Sequence, residues 1–186
     1  MAKVEIITPF ILSFEGGWSN NPLDNGGATN KGVTLKTWKS VGYDKDGDGD
    51  IDVNDLRLIT DEDAMCKVLK PHYWDVIKAD EIEDQSVANA LADWAWHSGP
   101  KVAAKAVQII LNVVVDGKVG KKTLQAINGT SSVDLFDCIQ RARMKMFYDI
   151  IDRNPSQNAF LKGWLRRVNS IEYGRLILNN GKVVTF

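Results

Sequence analysis

The sequence predicts a mainly α-helical protein with a small hairpin after the first helix and an acidic loop beyond the hairpin. Three observations carry this. Apolar residues recur at three- and four-residue spacing along most of the chain, Asn, Gly and Asp crowd residues 18–34, and six aspartates fall between Asp44 and Asp55.

Taken in order, residues 4–14 place Ile6, Ile7, Phe10, Ile11 and Phe14 at helical spacing, and Gly16-Gly17 stops that helix with Glu15 at its end. Residues 18–34 favour turns and an irregular hairpin. A short helix over 35–41 precedes the acidic loop. Thr60 then reads as an N-cap with Asp61, Glu62 and Asp63 in the first turn, and Pro71 predicts a break or kink. Val87, Ala90, Leu91 and Trp94 mark a further helix that ends at Gly99-Pro100, and residues 101–114 repeat the pattern. Asp116-Gly117 and Gly120 punctuate a turn before helices over 121–127, 132–152 and 157–178. Residues 181–186 read as a short extended tail. The expected division is 1–86, carrying the loop 44–55, and 87–186, packed together as one unit.

A chain of 186 residues suits one domain, or a core with a small lobe, and buries roughly 70% of its unfolded surface without metal or disulfide. Its 44% apolar and 25% charged composition argues against a disordered, collagen-like or membrane protein. No apolar run approaches the length of a membrane span, and the amino terminus shows neither a basic region nor a small-residue cleavage site, so no Sec signal is expected. Cys66 and Cys138 form no disulfide framework or zinc spacing and are expected as reduced, partly buried thiols. Net charge is −1, but outside the acidic loop the balance is 22 basic against 18 acidic residues. Arg141, Arg143, Lys145, Arg153, Lys162, Arg166, Arg167 and Arg175 read as the solvated face of two amphipathic helices or as a surface for an anionic cell envelope. They lack the interleaved aromatics of a nucleic-acid site, and no nucleic-acid partner is expected.

The loop sets Asp44, Asp46, Asp48, Asp50, Asp52 and Asp55 at positions 1, 3, 5, 7, 9 and 12, with Gly49 at 6 and Ile51 at 8. Carboxylates so crowded repel one another, and an EF-hand-like loop relieves this with a hard cation that accepts six to eight oxygens. Structural Ca2+ is expected, with Asp50 ligating through its carbonyl and Asp52 directly or through water, and the alternatives are a solvated acidic turn without metal and a regulatory switch. Asp55 stands where Glu is commonest, as in the calcium loops of dockerin modules, which this segment resembles.

Glu15, between Phe14 and Trp18, is the candidate general acid, because burial beside apolar rings keeps a carboxyl protonated near neutral pH. Asp24 and Thr29 follow on the hairpin, where a fold-back brings them across a cleft as base and water-holding partners. Asp24 serves equally well in an Asx-turn with Gly26, and Glu15 equally well as a solvated helix-end residue.

The runs Glu15-Gly16-Gly17-Trp18 and Asn21 to Thr34, with Tyr73-Trp74-Asp75, Ala79-Asp80, Ser98-Gly99-Pro100 and Val115 to Leu124, resemble glycoside hydrolase family 108, the phage- and prophage-type lysozymes, together with the peptidoglycan-domain region that follows them. The resemblance implies a lysozyme-like α+β fold and an endolysin-like N-acetylmuramidase with Glu15, Asp24 and Thr29 as the catalytic group. Trp18, Asn30, Tyr73, Trp96 and His97 are the expected substrate-binding residues, His97 standing where the family pattern usually has Asn. With no Sec signal expected, the protein is expected to be made in the cytoplasm and to act on peptidoglycan after holin-type release or dedicated export, without stable membrane insertion, and as a monomer because nothing in the sequence asks for a dimer. Two alternatives remain at this stage, a lytic transglycosylase and a non-catalytic, calcium-stabilised wall-binding module.

Overall fold

The computed structural model describes residues 1–20 and 27–186. Helix α1 (Val4–Phe14) turns Ile7, Phe10 and Ile11 fully inward while Pro9 faces solvent, where its missing N–H is tolerated. At Glu15 the backbone turns extended (φ −81°, ψ 145°), so this residue projects from the helix end. Strands β1 (Thr29–Asn30) and β2 (Val33–Thr34) pair antiparallel through a tight Lys31-Gly32 turn, with φ of 52° and 76°. Positive φ at both turn residues gives the twist that matches two short antiparallel strands.

Helix α2 (Leu35–Val41) is capped by the Thr34 hydroxyl and closed by left-handed Gly42. Behind the acidic loop lies α3 (Val53–Leu58), which the periodicity did not reveal. Asp52 caps it, and Asp55 completes the capping box. Thr60 and Asp63 form a second box at α4 (Asp61–Asp63), which continues as a π-helix over Ala64–Trp74. Of the break or kink expected at Pro71, no break occurs. A wider ladder, in which Asp75 N donates to Lys70 O at 2.9 Å, carries the helix through the proline.

Helix α5 (Gln85–Ser98) is buried from Ser86 to Ala95 and is the hub of the molecule. Against it pack α1, the π-helix, α6 (Pro100–Ile110) and α8 (Ser132–Arg153), with α7 (Lys121–Asn128) lying on α8. The helix expected over 157–178 ends early, as α9 (Asn158–Asn169). In place of its second half stand β3 (Ile171–Glu172) and β4 (Arg175–Ile177), which join β5 (Val183–Thr185) in an antiparallel sheet of order β3-β4-β5. Gly174 (φ 78°) and Gly181 (φ 85°) make the turns that prevent helix continuation. Helix α6 likewise stops before 114, with Asn112 at φ 52°.

Two cores result. The larger joins Ile7 and Phe10 of α1, Trp74, Leu91 and Trp94, Val107, Leu124, Ile139 and Leu176, so residues on both sides of position 86 share it. The smaller gathers Ala28, Val33, Trp38, Leu56, Ile59 and Val68 beneath the hairpin. Tyr73 and Trp96 pack against both. Cys66 is exposed rather than partly buried, and both cysteines are free.

One polar group inside the larger half explains the Asp116-Gly117 turn. Gln108, 1% exposed, donates through the two hydrogens of Nε2 to Asp116 Oδ1 (2.8 Å) and Lys118 O (3.0 Å), with Thr123 Oγ1 3.2 Å from the same nitrogen, and accepts from Gly117 N (2.9 Å). Gln108→Leu leaves these groups unpaired and is expected to cost about 2 kcal/mol, a fall in Tm of about 4–8 °C. Differential scanning calorimetry checks this, and an unchanged Tm would show that the turn holds itself.

Candidate active site

Glu15 lies at the seam between the two cores, its side chain 19% exposed. Its Oε1 accepts two hydrogen bonds, from Trp96 Nε1 at 2.8 Å and from Arg167 Nη1 at 2.9 Å. The hairpin turn closes the other side. A methyl group built on Gly32 would come within 2.7 Å of Glu15 Cγ and 2.8 Å of Oε2, so only glycine lets the turn approach the carboxylate this closely. The apolar surround expected from Phe14 and Trp18 is thus corrected. Glu15 is held by an indole N–H and a guanidinium, and Arg167 itself lies over the Phe14 ring at 5.5 Å.

Arg167 is fixed from behind. Its Nε and Nη2 donate to Asp93 Oδ1 at 3.0 and 2.8 Å, and Arg143 Nη1 lies 2.7 Å from Asp93 Oδ2. Asp93 and Arg143 are fully buried and Arg167 is 8% exposed. Burial pushes the Asp93 carboxyl up, but the charges of Arg167 and Arg143 outweigh it and hold the group at about 2. Burial pulls Arg143 down, whereas Arg167 is raised because Asp93 and Glu15 overcome the same burial cost. Asp93 and the two guanidiniums therefore form a buried cluster whose outer edge, Arg167 Nη1, reaches Glu15. Two of the eight basic residues read as a solvated face are buried instead, because α8 and α9 turn Arg143 and Arg167 inward.

The other expected residues separate into groups. Tyr73 packs on Trp96 with ring centroids 4.7 Å apart, and burial, then the nearby Glu15 charge, raises its hydroxyl above the ordinary tyrosine range. Trp18 is half-buried under the Arg57 guanidinium at 5.4 Å. Thr29 pairs in β1 and bonds through its backbone to Ser19. Asn30, expected at the substrate, is buried, and its amide donates to Leu56 O (2.9 Å) and Arg57 O (3.2 Å), which commits it to fastening the hairpin onto α3. His97 sits edge-on to Phe147 and Trp164, with Nδ1 3.3 Å from Ser98 Oγ. Burial, then the charges of Arg143 and Arg167, holds it below the usual histidine value. Asp24 lies outside the described residues.

A cleft of about 390 Å³ opens beside Glu15, lined among others by Ser13, Gly17, Lys31, Asp61 and Asn180. Lys31 Nζ bonds Asp61 Oδ1 at 2.5 Å across it. Sequence reading missed this pair, the Arg167 and Asp93 contacts and Gly32. The one available signal was charge at buried register: Arg143 falls four residues from Ile139 and from Phe147, and Asp93 interrupts an apolar helix.

The acidic loop forms two carboxylate groups, Asp44, Asp46 and Asp48, and then Asp50, Asp52 and Asp55. Asp44 accepts from Gly47 N and Gly49 N. Buried Asp55 accepts from Lys45 N, Asp46 N and Asp52 N, and these bonds, the one from Asp52 foremost, pull its carboxyl down. Asp46 is raised by desolvation and then its neighbours' charges, and Asp50 chiefly by the charge of Asp48. Oxygen-only donors in mutual repulsion are chemically suited to a hard cation. In this arrangement Asp55 stands with Asp50 and Asp52 rather than with Asp44, Asp46 and Asp48.

The chain is similar to known proteins along most of its length. The family model described as glycosyl hydrolase 108 matches residues 8–99, and the one described as predicted peptidoglycan domain matches residues 102–169. Among solved structures, that of Brucella abortus SagA is similar with a TM-score of 0.73 and 29% identity, over 90% of this chain and 90% of that one. No curated protein matches.

Asp93 makes stability depend on pH with a definite sign. Its folded value of about 2 lies below that of an unfolded aspartate, near 3.9, so its contribution is complete above about pH 4 and is lost as the pH falls toward 2. The loss amounts to about 2–3 kcal/mol. Urea unfolding at stepped pH checks it: Asp93→Asn should be much less stable than wild type at pH 6 and approach it near pH 2, whereas parallel curves would contradict the assignment.

Proposed function

We propose, from the premise that this chain carries a glycosyl hydrolase 108 domain followed by a predicted peptidoglycan domain and so is a glycosidase of peptidoglycan, that it is a lysozyme-type N-acetylmuramidase. The observation that supports this most is Glu15, a carboxyl group at the cleft whose Oε1 is taken by Trp96 and Arg167. A carboxylic acid can accept both bonds at its carbonyl oxygen and present its proton on Oε2. In this reading Glu15 protonates the bridging oxygen of the β-1,4 bond between N-acetylmuramic acid and N-acetylglucosamine. Asp24 and Thr29 then orient a water or support the oxocarbenium-like transition state. Trp18, Tyr73 and His97 lie outside the lining of that cleft and are proposed as sugar contacts on the family resemblance alone. Trp96 acts through its bond to Glu15.

The acidic loop is proposed as a structural Ca2+ site using Asp44, Asp46, Asp48 and Asp55 by side chain, Asp50 by carbonyl and Asp52 directly or through water. When bound, the ion supplies charge neutralisation for the loop. The loop leads into α3, which holds Asn30 and Arg57, so a neutralised loop steadies the hairpin. The fold and chemistry also suit an endolysin-like monomer that reaches the cell wall through a holin-like or dedicated export partner. No described helix is long and apolar enough to cross a membrane.

Glu15→Gln is expected to lower the rate of reducing-end release from purified sacculi by about 10³-fold while the protein remains folded. Retained activity would remove Glu15 from the acid role. Chelation with EDTA is expected to lower Tm by several degrees, with recovery on adding Ca2+ and no recovery in Asp44→Asn/Asp48→Asn. A Tm indifferent to both treatments would remove the calcium assignment.

A further inference from the structure

We propose that Arg167 is a positioning residue for Glu15, so that the segment matched as a peptidoglycan domain completes the catalytic centre rather than serving only to bind the wall. This rests on the muramidase reading of Glu15. Arg167 falls inside residues 102–169, outside the hydrolase match, yet bonds Glu15 across 152 positions of sequence.

Geometry gives the reason for the bond. Asp93 faces two guanidiniums, so the buried group of three carries an excess positive charge, and the one edge of it left unpaired by Asp93, Arg167 Nη1, reaches Oε1 of Glu15. The excess is delivered at one place, because Arg143 contacts Asp93 while Arg167 spans Asp93 and Glu15 with separate edges of its fork. A planar fork held at Nε and Nη2 by one carboxylate fixes the direction in which Nη1 points. With Trp96 as the second donor to Oε1, the plane of the Glu15 carboxyl is set and Oε2 is left for proton transfer. The segment also shares the larger core, in which Val107, Leu124 and Ile139 pack with Ile7, Phe10 and Trp94. It therefore has no separate interior of its own to carry an independent module.

The test compares Arg167→Gln and Arg167→Lys with Arg141→Gln, an exposed basic residue on α8. It measures steady-state kinetics on solubilised glycan strands and the indole N–H resonance of Trp96 in 1H–15N spectra. Arg167→Gln is expected to lower kcat about 10²-fold with KM within a few-fold, and Arg167→Lys to recover part of the loss. The Trp96 resonance should move in Arg167→Gln and stay in place in Arg141→Gln. A kcat within two-fold of wild type together with an unmoved Trp96 resonance would overturn the proposal. If Arg167→Gln fails to fold, Arg167→Lys carries the same two readouts, since it keeps the charge and loses the fork. A wild type that releases no reducing ends would instead fail the muramidase reading, and the Trp96 resonance would still decide whether Arg167 holds Glu15.

Discussion

The structure depends on one buried carboxylate. Asp93, at the centre of the hub helix, has no access to water, and an isolated charge there would be prohibitively costly. Its two guanidinium partners come from α8 and α9, so meeting that requirement fixes where both helices dock. One carboxylate facing two cations leaves an edge of Arg167 over, and that edge bonds Glu15 where it leaves the end of α1. A folding constraint and the placement of the candidate acid are therefore the same interaction. Breaking a buried ion pair by removing one partner typically costs 3–5 kcal/mol, a large fraction of the stability of a domain.

The second requirement is that the hairpin reach Glu15 from the opposite side. Several short-range devices place it there. Gly32 permits the close approach, Asn30 ties the strand to the carbonyls at the end of α3, and Arg57 covers Trp18. Lys31 and Asp61 add a link from the turn to α4 across the cleft. The acidic loop lies immediately before α3, and Lys45 pairs with Asp63 at 2.7 Å. The loop, α3, α4 and the hairpin thus form one mechanically connected lobe whose charge is concentrated in six aspartates. Far from this lobe, the turn after α6 is organised by a single glutamine.

How much of this could be read from the sequence follows the range of the interactions. Helices α1, α2, α5, α7 and α8 were legible because each has an apolar stripe and a local stop signal, such as Gly16-Gly17 or Gly99-Pro100. The Thr60 cap was legible because capping needs only four neighbouring residues. The β3-β4 pairing was not, because the strands are two or three residues long and their apolar spacing also suits a helix, whereas β5 falls in the tail expected to be extended over 181–186. Glu15 was legible from its place at a helix end beside a glycine-rich hairpin. Its surroundings were not. Arg167 is distant in sequence, and a basic residue on an amphipathic helix is usually solvated, so only the charges at buried register pointed inward. The anchoring contact of Asn30 was not legible because its partners, Leu56 O and Arg57 O, belong to a helix hidden behind the acidic loop.

The central claim is that a glutamate held by Trp96 and Arg167 delivers a proton to a glycosidic oxygen and that water completes the reaction. Digestion of purified peptidoglycan in H2 18O, followed by mass spectrometry of the released muropeptides, tests it most directly. The account predicts reducing N-acetylmuramic acid ends carrying one 18O atom at the anomeric carbon. Unlabelled 1,6-anhydro ends would contradict it, since the bond would then have been broken by the sugar's own hydroxyl rather than by water.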